Sequence, residues 1–265
     1  MKTTPAHAPN DTTKPRPVIA WPGGKTRLLR HLLPRIPEHR TYCEVFGGGL
    51  ALFCAKPPSR VEVINDISGR LIAFYRVIKF HLPALLAEIE NVPNSRRDFF
   101  DYLAQPGLTE IQQVARWYVC QRLSFGGQGR TFAPTRTQGH PLIENRLPAL
   151  QALSQRLVTV TIENLDWQRF LEIYDYPEAF HFFDPPYFDD GGSAYKEWTE
   201  EEFSRFAGRV RTLRGAWLLT YQDCPQARDQ FRDCRIIPVS RANTMKNREP
   251  ARRNLRYREL VILPK

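Results

Sequence analysis

Gly47-Gly48-Gly49 stands between an apolar run and an apolar helical stretch, and no other feature of the chain constrains its fold so strongly. Thr41–Phe46 ahead of the glycines reads as a buried strand. Leu50–Ala55 behind them reads as a helix, and Val61–Asn65 as a second strand that ends at Asp66. Strand, glycine turn, helix, strand is the opening of a nucleotide-binding βαβ unit. A helical pattern from Ser68 to about Glu90 continues the alternation.

The same alternation returns later in the chain. Strand-like runs fall at Val158–Ile162, His181–Phe183, Ala216–Thr220, Arg235–Val239 and Leu260–Leu263. Helical patterns at Asp166–Tyr174, Thr199–Leu213 and Cys224–Asp233 separate them. These segments predict an α/β fold in which 17–90 and 156–265 form one sheet domain. Between them the pattern changes. Helices are predicted near Asp98–Leu103, Thr109–Leu123 and Ile143–Leu157, with a loop rich in Gly, Arg and Thr over Ser124–His140. Residues 91–155 therefore read as an inserted domain. Residues 1–16, rich in Thr, Pro and Lys, read as a disordered tail.

Asp184-Pro185-Pro186-Tyr187 follows the aromatic run Phe180-His181-Phe182-Phe183. A carboxylate, a rigid turn and a ring thus sit beyond the carboxyl end of a strand, where an open α/β sheet holds its ligands. Asp66 ends the second strand about twenty residues after the glycine turn. An acid there accepts hydrogen bonds from both hydroxyls of a ribose, or caps the following helix. Asp166 has the same two readings, as an acceptor for a bound base or as a helix cap. Trp21-Pro22-Gly23-Gly24-Lys25-Thr26 combines bare backbone with a lysine that can pair with a carboxylate or phosphate; a turn ahead of a helix is the alternative. The GxxxxGK[ST] spacing fails, because position 19 is Ile. The GxGxxG spacing fails after Phe46, which disfavours a nicotinamide dehydrogenase.

The 38 Lys and Arg against 28 Asp and Glu leave a net charge of +10, which favours a polyanionic partner. From Ile111 to Ile143 there is no acid, while Arg116, Arg122, Arg130 and Arg136 fall inside with Gln128 and several glycines. That composition suits a loop that follows a phosphate backbone and presents Arg and Gln to base edges, or a basic surface loop. Phe188–Trp198 has the make-up of a closing loop, with Tyr195 and Lys196 as candidate nucleic-acid contacts. Arg241–Arg258 is dense in Arg, and either holds a backbone or forms a solvated hairpin. Five cysteines without a CxxC pair suggest neither a disulfide framework nor a zinc site, which fits a reducing cytoplasm. No membrane span and no metal are expected.

These residues together resemble the DNA adenine methylase family, whose members transfer a methyl group from S-adenosylmethionine to adenine N6. Trp21-Pro22-Gly23-Gly24-Lys25 looks like its first cofactor motif, and Glu44-Val45-Phe46-Gly47-Gly48-Gly49 like its glycine motif. Asn65-Asp66, followed by Leu71, Tyr75 and Lys79, is similar to its ribose motif. Asp184-Pro185-Pro186-Tyr187 is similar to its catalytic signature. Leu123-Ser124-Phe125-Gly126-Gly127 looks like a divergent copy of a stretch in its target-recognition insertion. The resemblance runs from about Pro17 to the C-terminus. It implies a Rossmann-like methyltransferase sheet of seven mostly parallel strands with an antiparallel C-terminal strand, and a small helical target-recognition insertion. S-adenosylmethionine contacts are implied at Trp21, Gly23, Gly24, Lys25, Glu44, Phe46, Gly47, Gly49, Asp66, Asp166 and Asp184.

The implied substrate is an adenine flipped out of double-stranded DNA at a short specific site, with Asp184, Pro185 and Tyr187 as the catalytic residues. Asp184 and the Pro185 carbonyl would accept the two N6 hydrogens, and Tyr187 would stack on the base. A monomer, bacterial or phage-encoded, is expected, with a restriction-modification role among those open to it. Methylation of cytosine N4, of RNA adenine or of a protein amide remains an alternative. So does a catalytically silent DNA-binding module.

Overall fold

The computed structural model of the protein describes residues 15–90, 95–124, 129–133, 147–187, 198–242 and 256–265. Its strands are β1 Thr41–Glu44, β2 Val61–Asn65, β3 Thr161–Glu163, β4 Ala179–Phe183, β5 Ala216–Gln222, β6 Arg235–Ala242 and β7 Arg256–Leu263. Its helices are α1 Leu29–Leu32, α2 Ala51–Ala55, α3 Gly69–Glu90, α4 Arg96–Ala104, α5 Glu110–Leu123, α6 Leu147–Leu157, α7 Trp167–Tyr174, α8 Glu200–Val210 and α9 Pro225–Gln230. The chain divides into two compact units. One comprises Met1–Gly24, Gly48–Ala55 and Gly69–Thr159; the other comprises Lys25–Gly47, Lys56–Ser68 and Val160–Lys265. The expected insertion, 91–155, falls within the first.

The second unit holds a seven-stranded sheet in the order β3-β2-β1-β4-β5-β7-β6. Strands β1 to β5 pair in parallel, and β7 runs antiparallel to both β5 and β6. This is the α/β, Rossmann-like sheet expected from the sequence, with its reversed C-terminal strand. Every residue of β4 is buried, which is why this strand reads as an unbroken apolar run rather than an alternating one. On one face, α7, α8 and α9 pack a core of Trp167, Phe170, Phe203, Phe206 and Phe231 against Phe183, Trp217 and Tyr221. Phe206 meets Phe183 edge-on at 5.2 Å and Trp167 edge-on at 5.3 Å, the arrangement that ring quadrupoles favour.

In the first unit α3 packs on α5 and α6, and α4 on α5. Thr109 starts α5 with a reciprocal cap: its hydroxyl accepts from Gln112 N, and the Gln112 side chain returns to the Thr109 backbone. Ser95 caps α4 by accepting from Arg97 N and Asp98 N.

Three expectations need correction. The run at Val158–Ile162 becomes a strand only at Thr161. The chain still turns out of α6 at Val158, which is 64% exposed, and pairing with β2 begins at Val63 opposite Thr161. The first strand stops at Glu44 rather than Phe46, because Gly47 N already donates to Asn65 O as the backbone leaves the ladder. The helix expected from Ser68 to Glu90 is kinked at His81, where φ is −135° and ψ is 26°. Pro83 lies inside it and has no N–H to donate to the carbonyl four residues back.

Candidate active site

In the sheet, β2 and β3 lie on one side of β1 and β4 and β5 on the other. The chain therefore reverses its build direction between β1 and β4, the position at which open α/β sheets hold their ligands. The residues that leave the sheet there are Val45, Phe46 and Gly47 after β1 and Asp184 to Tyr187 after β4. Asp66 follows β2, and Thr220 lies near the end of β5.

Asp184 is held by one oxygen. Lys25 Nζ lies 2.6 Å from its Oδ1, with the lysine side chain 3% and the aspartate side chain 19% exposed. Thr220 Oγ1 donates to the same oxygen at 2.9 Å. A buried ammonium beside a largely buried carboxylate leaves each charge compensated. The Lys25 ammonium also faces the Tyr187 ring, 5.5 Å from its centroid. Tyr187 packs edge-on to Tyr221 at 5.0 Å, so its ring is fixed by the apolar core beneath it. Lys25 therefore serves the Asp-Pro-Pro-Tyr corner directly, a partnership that spacing alone did not reveal.

The strand ends beside it are tied together by two asparagines. Asn65 Nδ2 donates to Val45 O and Leu165 O, and its Oδ1 accepts from Leu165 N. Asn164 Nδ2 donates to Asp66 O and Ile67 O. The loops after β1, β2 and β3 are thereby locked to one another. Asp66, 6% exposed, accepts from Ser68 N through Oδ1, forming an Asx turn ahead of α3. Ile67 beside it is 57% exposed. Asp166 caps α7 by accepting from Arg169 N at 2.9 Å through Oδ1. Glu44 is buried and accepts from Tyr42 OH at 2.6 Å. Burial first, and then the Glu44 charge, push the Tyr42 phenol well above its ordinary range. Phe46 turns inward, edge-on to Trp198 and Phe206.

Trp21, Gly23, Gly24 and Gly49 belong to the first unit. Pro22 and Gly23 form the centre of a turn closed by Gly24 N to Trp21 O at 3.1 Å, with Gly23 at φ 77°. The indole of Trp21 lies on Gly48, where an added Cβ would come within 2.8 Å of Cδ1, and the Trp21 Cβ lies by Gly49, where an added Cβ would come within 3.4 Å of it. Trp117 stands 6.5 Å from that indole and 5.3 Å from Phe74. Bare backbone at these glycines thus admits a tryptophan of the same chain.

Among the expected nucleic-acid contacts, Arg116 donates to Gln105 O at 2.6 Å and lies over the Tyr102 ring, pinning the link between α4 and α5. Arg122 is partly buried near the end of α5, and Arg130 is exposed. Gln128, Arg136, Tyr195 and Lys196 lie outside the described residues, as do most of Phe188–Trp198 and Arg241–Arg258. Among the described residues, no helix is long and apolar enough to cross a membrane, and no group of three or more His, Cys, Asp or Glu could hold a metal. Thr220, Asn164 and Ile67 are the site residues that sequence reasoning passed over, while Asn65 was named only as part of the ribose motif. A threonine closing an otherwise apolar strand run was the available signal for Thr220.

The chain is 27% identical over 262 residues to the type II methyltransferase M1.LlaDCHI of Lactococcus lactis subsp. cremoris, an alignment covering 88% of this chain and 90% of that protein. It is 24% identical over 219 residues to the type II methyltransferase M.CviBI of Paramecium bursaria Chlorella virus NC1A, covering 77% and 82%. Over 99 residues it is 27% identical to the DNA N-6-adenine-methyltransferase of Escherichia phage P1, covering 37% of this chain and 12% of that one. A family model matches residues 21–245, from the tryptophan turn through the Asp184 corner to β6, and by that match the chain belongs to the D12 class N6 adenine-specific DNA methyltransferases.

Proposed function

We propose that the protein transfers a methyl group from S-adenosylmethionine to N6 of an adenine extruded from double-stranded DNA. The observation that carries this reading is the Asp184 carboxylate, buried on one side and pinned through one oxygen at the switch point of the sheet. The donor set fits the cofactor: Asp66 supplies a buried acid for ribose hydroxyls, and Gly47, which leaves the ladder with a bond to Asn65 O, supplies bare backbone. Lys25, Glu44, Phe46 and Asp166 complete the assignment in the same unit. When bound, S-adenosylmethionine supplies an electrophilic methyl group on a sulfonium.

The chain's own residues do the rest. The adenine N6 lone pair is delocalised into the ring. Asp184 and the Pro185 carbonyl accept its two hydrogens, which turns the lone pair out of conjugation and toward the methyl. The advantage lies in orientation and in a fixed negative charge beside a nitrogen that becomes positive in the transition state. Tyr187 stacks on the extruded base, which offsets part of the few kcal/mol that unstacking costs. The first unit, with Arg122 and Arg130, contacts the DNA target. The protein acts as a monomer in a reducing cytoplasm, in keeping with its five free thiols, and methylates a short site of the kind a type II restriction partner would cut.

Nucleoside analysis of DNA incubated with the protein and S-adenosylmethionine tests the reading. N6-methyladenine is expected with the parent and none with Asp184→Ala. N4-methylcytosine as the product, or appreciable turnover by a folded Asp184→Ala variant, would refute it.

A further inference from the structure

We infer that Thr220 is a positioning residue which, with Lys25, assigns different work to the two oxygens of Asp184 and so makes an acid, rather than an amide, obligatory at this corner. The inference rests on the function proposed above and adds a residue and a rule to it. Both observed contacts fall on Oδ1: the Lys25 ammonium at 2.6 Å and the Thr220 hydroxyl at 2.9 Å. Among the described residues, no hydrogen bond reaches Oδ2. The Thr220 hydroxyl has one proton and two acceptors within reach, the Phe183 carbonyl at 3.3 Å and the carboxylate at 2.9 Å. The nearer, charged acceptor takes it. Thr220 is 0% exposed and its backbone is fixed in β5, which pairs with β4 immediately before Asp184. Its donor therefore points with little freedom. With Oδ1 committed, the carboxylate plane is set, and Oδ2 is left as the acceptor for an amine hydrogen.

The same geometry dictates what an amide would do. In Asp184→Asn, the amide oxygen must face Lys25 and Thr220, because the NH2 there would put donors against an ammonium and a hydroxyl proton. The NH2 is then turned to the place of Oδ2, where it meets the amine's hydrogens head-on. An asparagine of the same shape thus presents the wrong polarity, and the lysine and threonine are the reason.

Thr220→Val removes the donor and keeps the volume. Its kcat is expected to fall about tenfold to a hundredfold, the value of one hydrogen bond to a charged group. The KM for S-adenosylmethionine and its calorimetric affinity should stay within about twofold, since losing the hydroxyl leaves the Asp184 charge and its Lys25 partner in place. Thr220→Ser restores the hydroxyl and is expected to recover kcat to within about threefold of the parent. Should the valine variant fail to fold, Thr220→Ala gives the same comparison. Asp184→Asn should still extrude a 2-aminopurine placed at the target, and lose at least about a hundredfold in kcat. A hydroxyl-less variant that turns over at the parent's rate sinks the assignment, as does a serine variant no better than valine or an active Asp184→Asn. A parent protein that methylates no DNA sinks the proposed function first, so the two failures are told apart by the parent lane.

Discussion

At Asp184 a single carboxylate carries two tasks, because Lys25 and Thr220 reach only one of its oxygens. Tyr187 next to it shares the Lys25 ammonium but rests on Tyr221, so its ring can be removed without touching the ion pair. Tyr187→Ala is expected to cost about 1–3 kcal/mol of base stacking, read as a drop in kcat/KM for DNA. S-adenosylmethionine affinity by calorimetry should change little, and a large loss there would show that the ring serves the cofactor instead. His181 tests a different property. It is fully buried in β4, and desolvation lowers its pKa to about 4. The unfolded chain therefore binds a proton between about pH 6.5 and pH 4 that the native chain refuses. Stability present above pH 6.5 is lost as pH falls through that window, on the order of 3 kcal/mol in all. His181→Phe should flatten the pH dependence of the urea midpoint over this range; a variant with the parent's slope would place the acid sensitivity elsewhere.

Among the elements, the turn between β1 and α2 is the most demanding. Gly48 has φ +47°, and Leu50, two residues on, holds φ 55° despite its side chain. Left-handed backbone costs a branched residue about 1–2 kcal/mol, and it persists here because Leu50 is buried at 1% exposure. Gly48→Ala adds both the conformational penalty and a contact of 2.8 Å with the Trp21 indole. We expect a loss of about 1–3 kcal/mol in stability and a changed Trp21 fluorescence maximum. An alanine variant with the parent's melting curve and emission would mean that the indole does not rest on Gly48 in solution.

For the molecule as a whole, the net charge of +10 matters only where guanidinium groups are still available to phosphates. Arg116 is occupied with Gln105 O and Tyr102, whereas Arg130 is exposed. Arg130→Ala is therefore expected to lower the slope of log K against log salt by about 1. Arg116→Ala should instead lower the melting temperature, through loss of the pin between α4 and α5. Filter binding across a salt series, with melting curves on the same samples, checks both; the reverse pattern would exchange the two roles.

The sheet was legible because apolar runs bounded by glycine, proline and acid encode strands locally, and β4 announced its burial through four consecutive aromatic rings. The Asp-Pro-Pro-Tyr turn and Asp66 were legible for the same reason, since each closes a strand. The fine boundaries were not, because Val158 and Phe46 are apolar yet leave the ladder: pairing partners, not side chains, decide where a strand begins and ends. Nor could spacing show that Lys25 and Thr220, 159 and 36 residues from Asp184, share one of its oxygens, although each residue was visible in the sequence. Local composition determines which segments are strands and which ends carry acids. Which charge meets which acid is a long-range contact, and only the closed order of β1, β4 and β5 decides it.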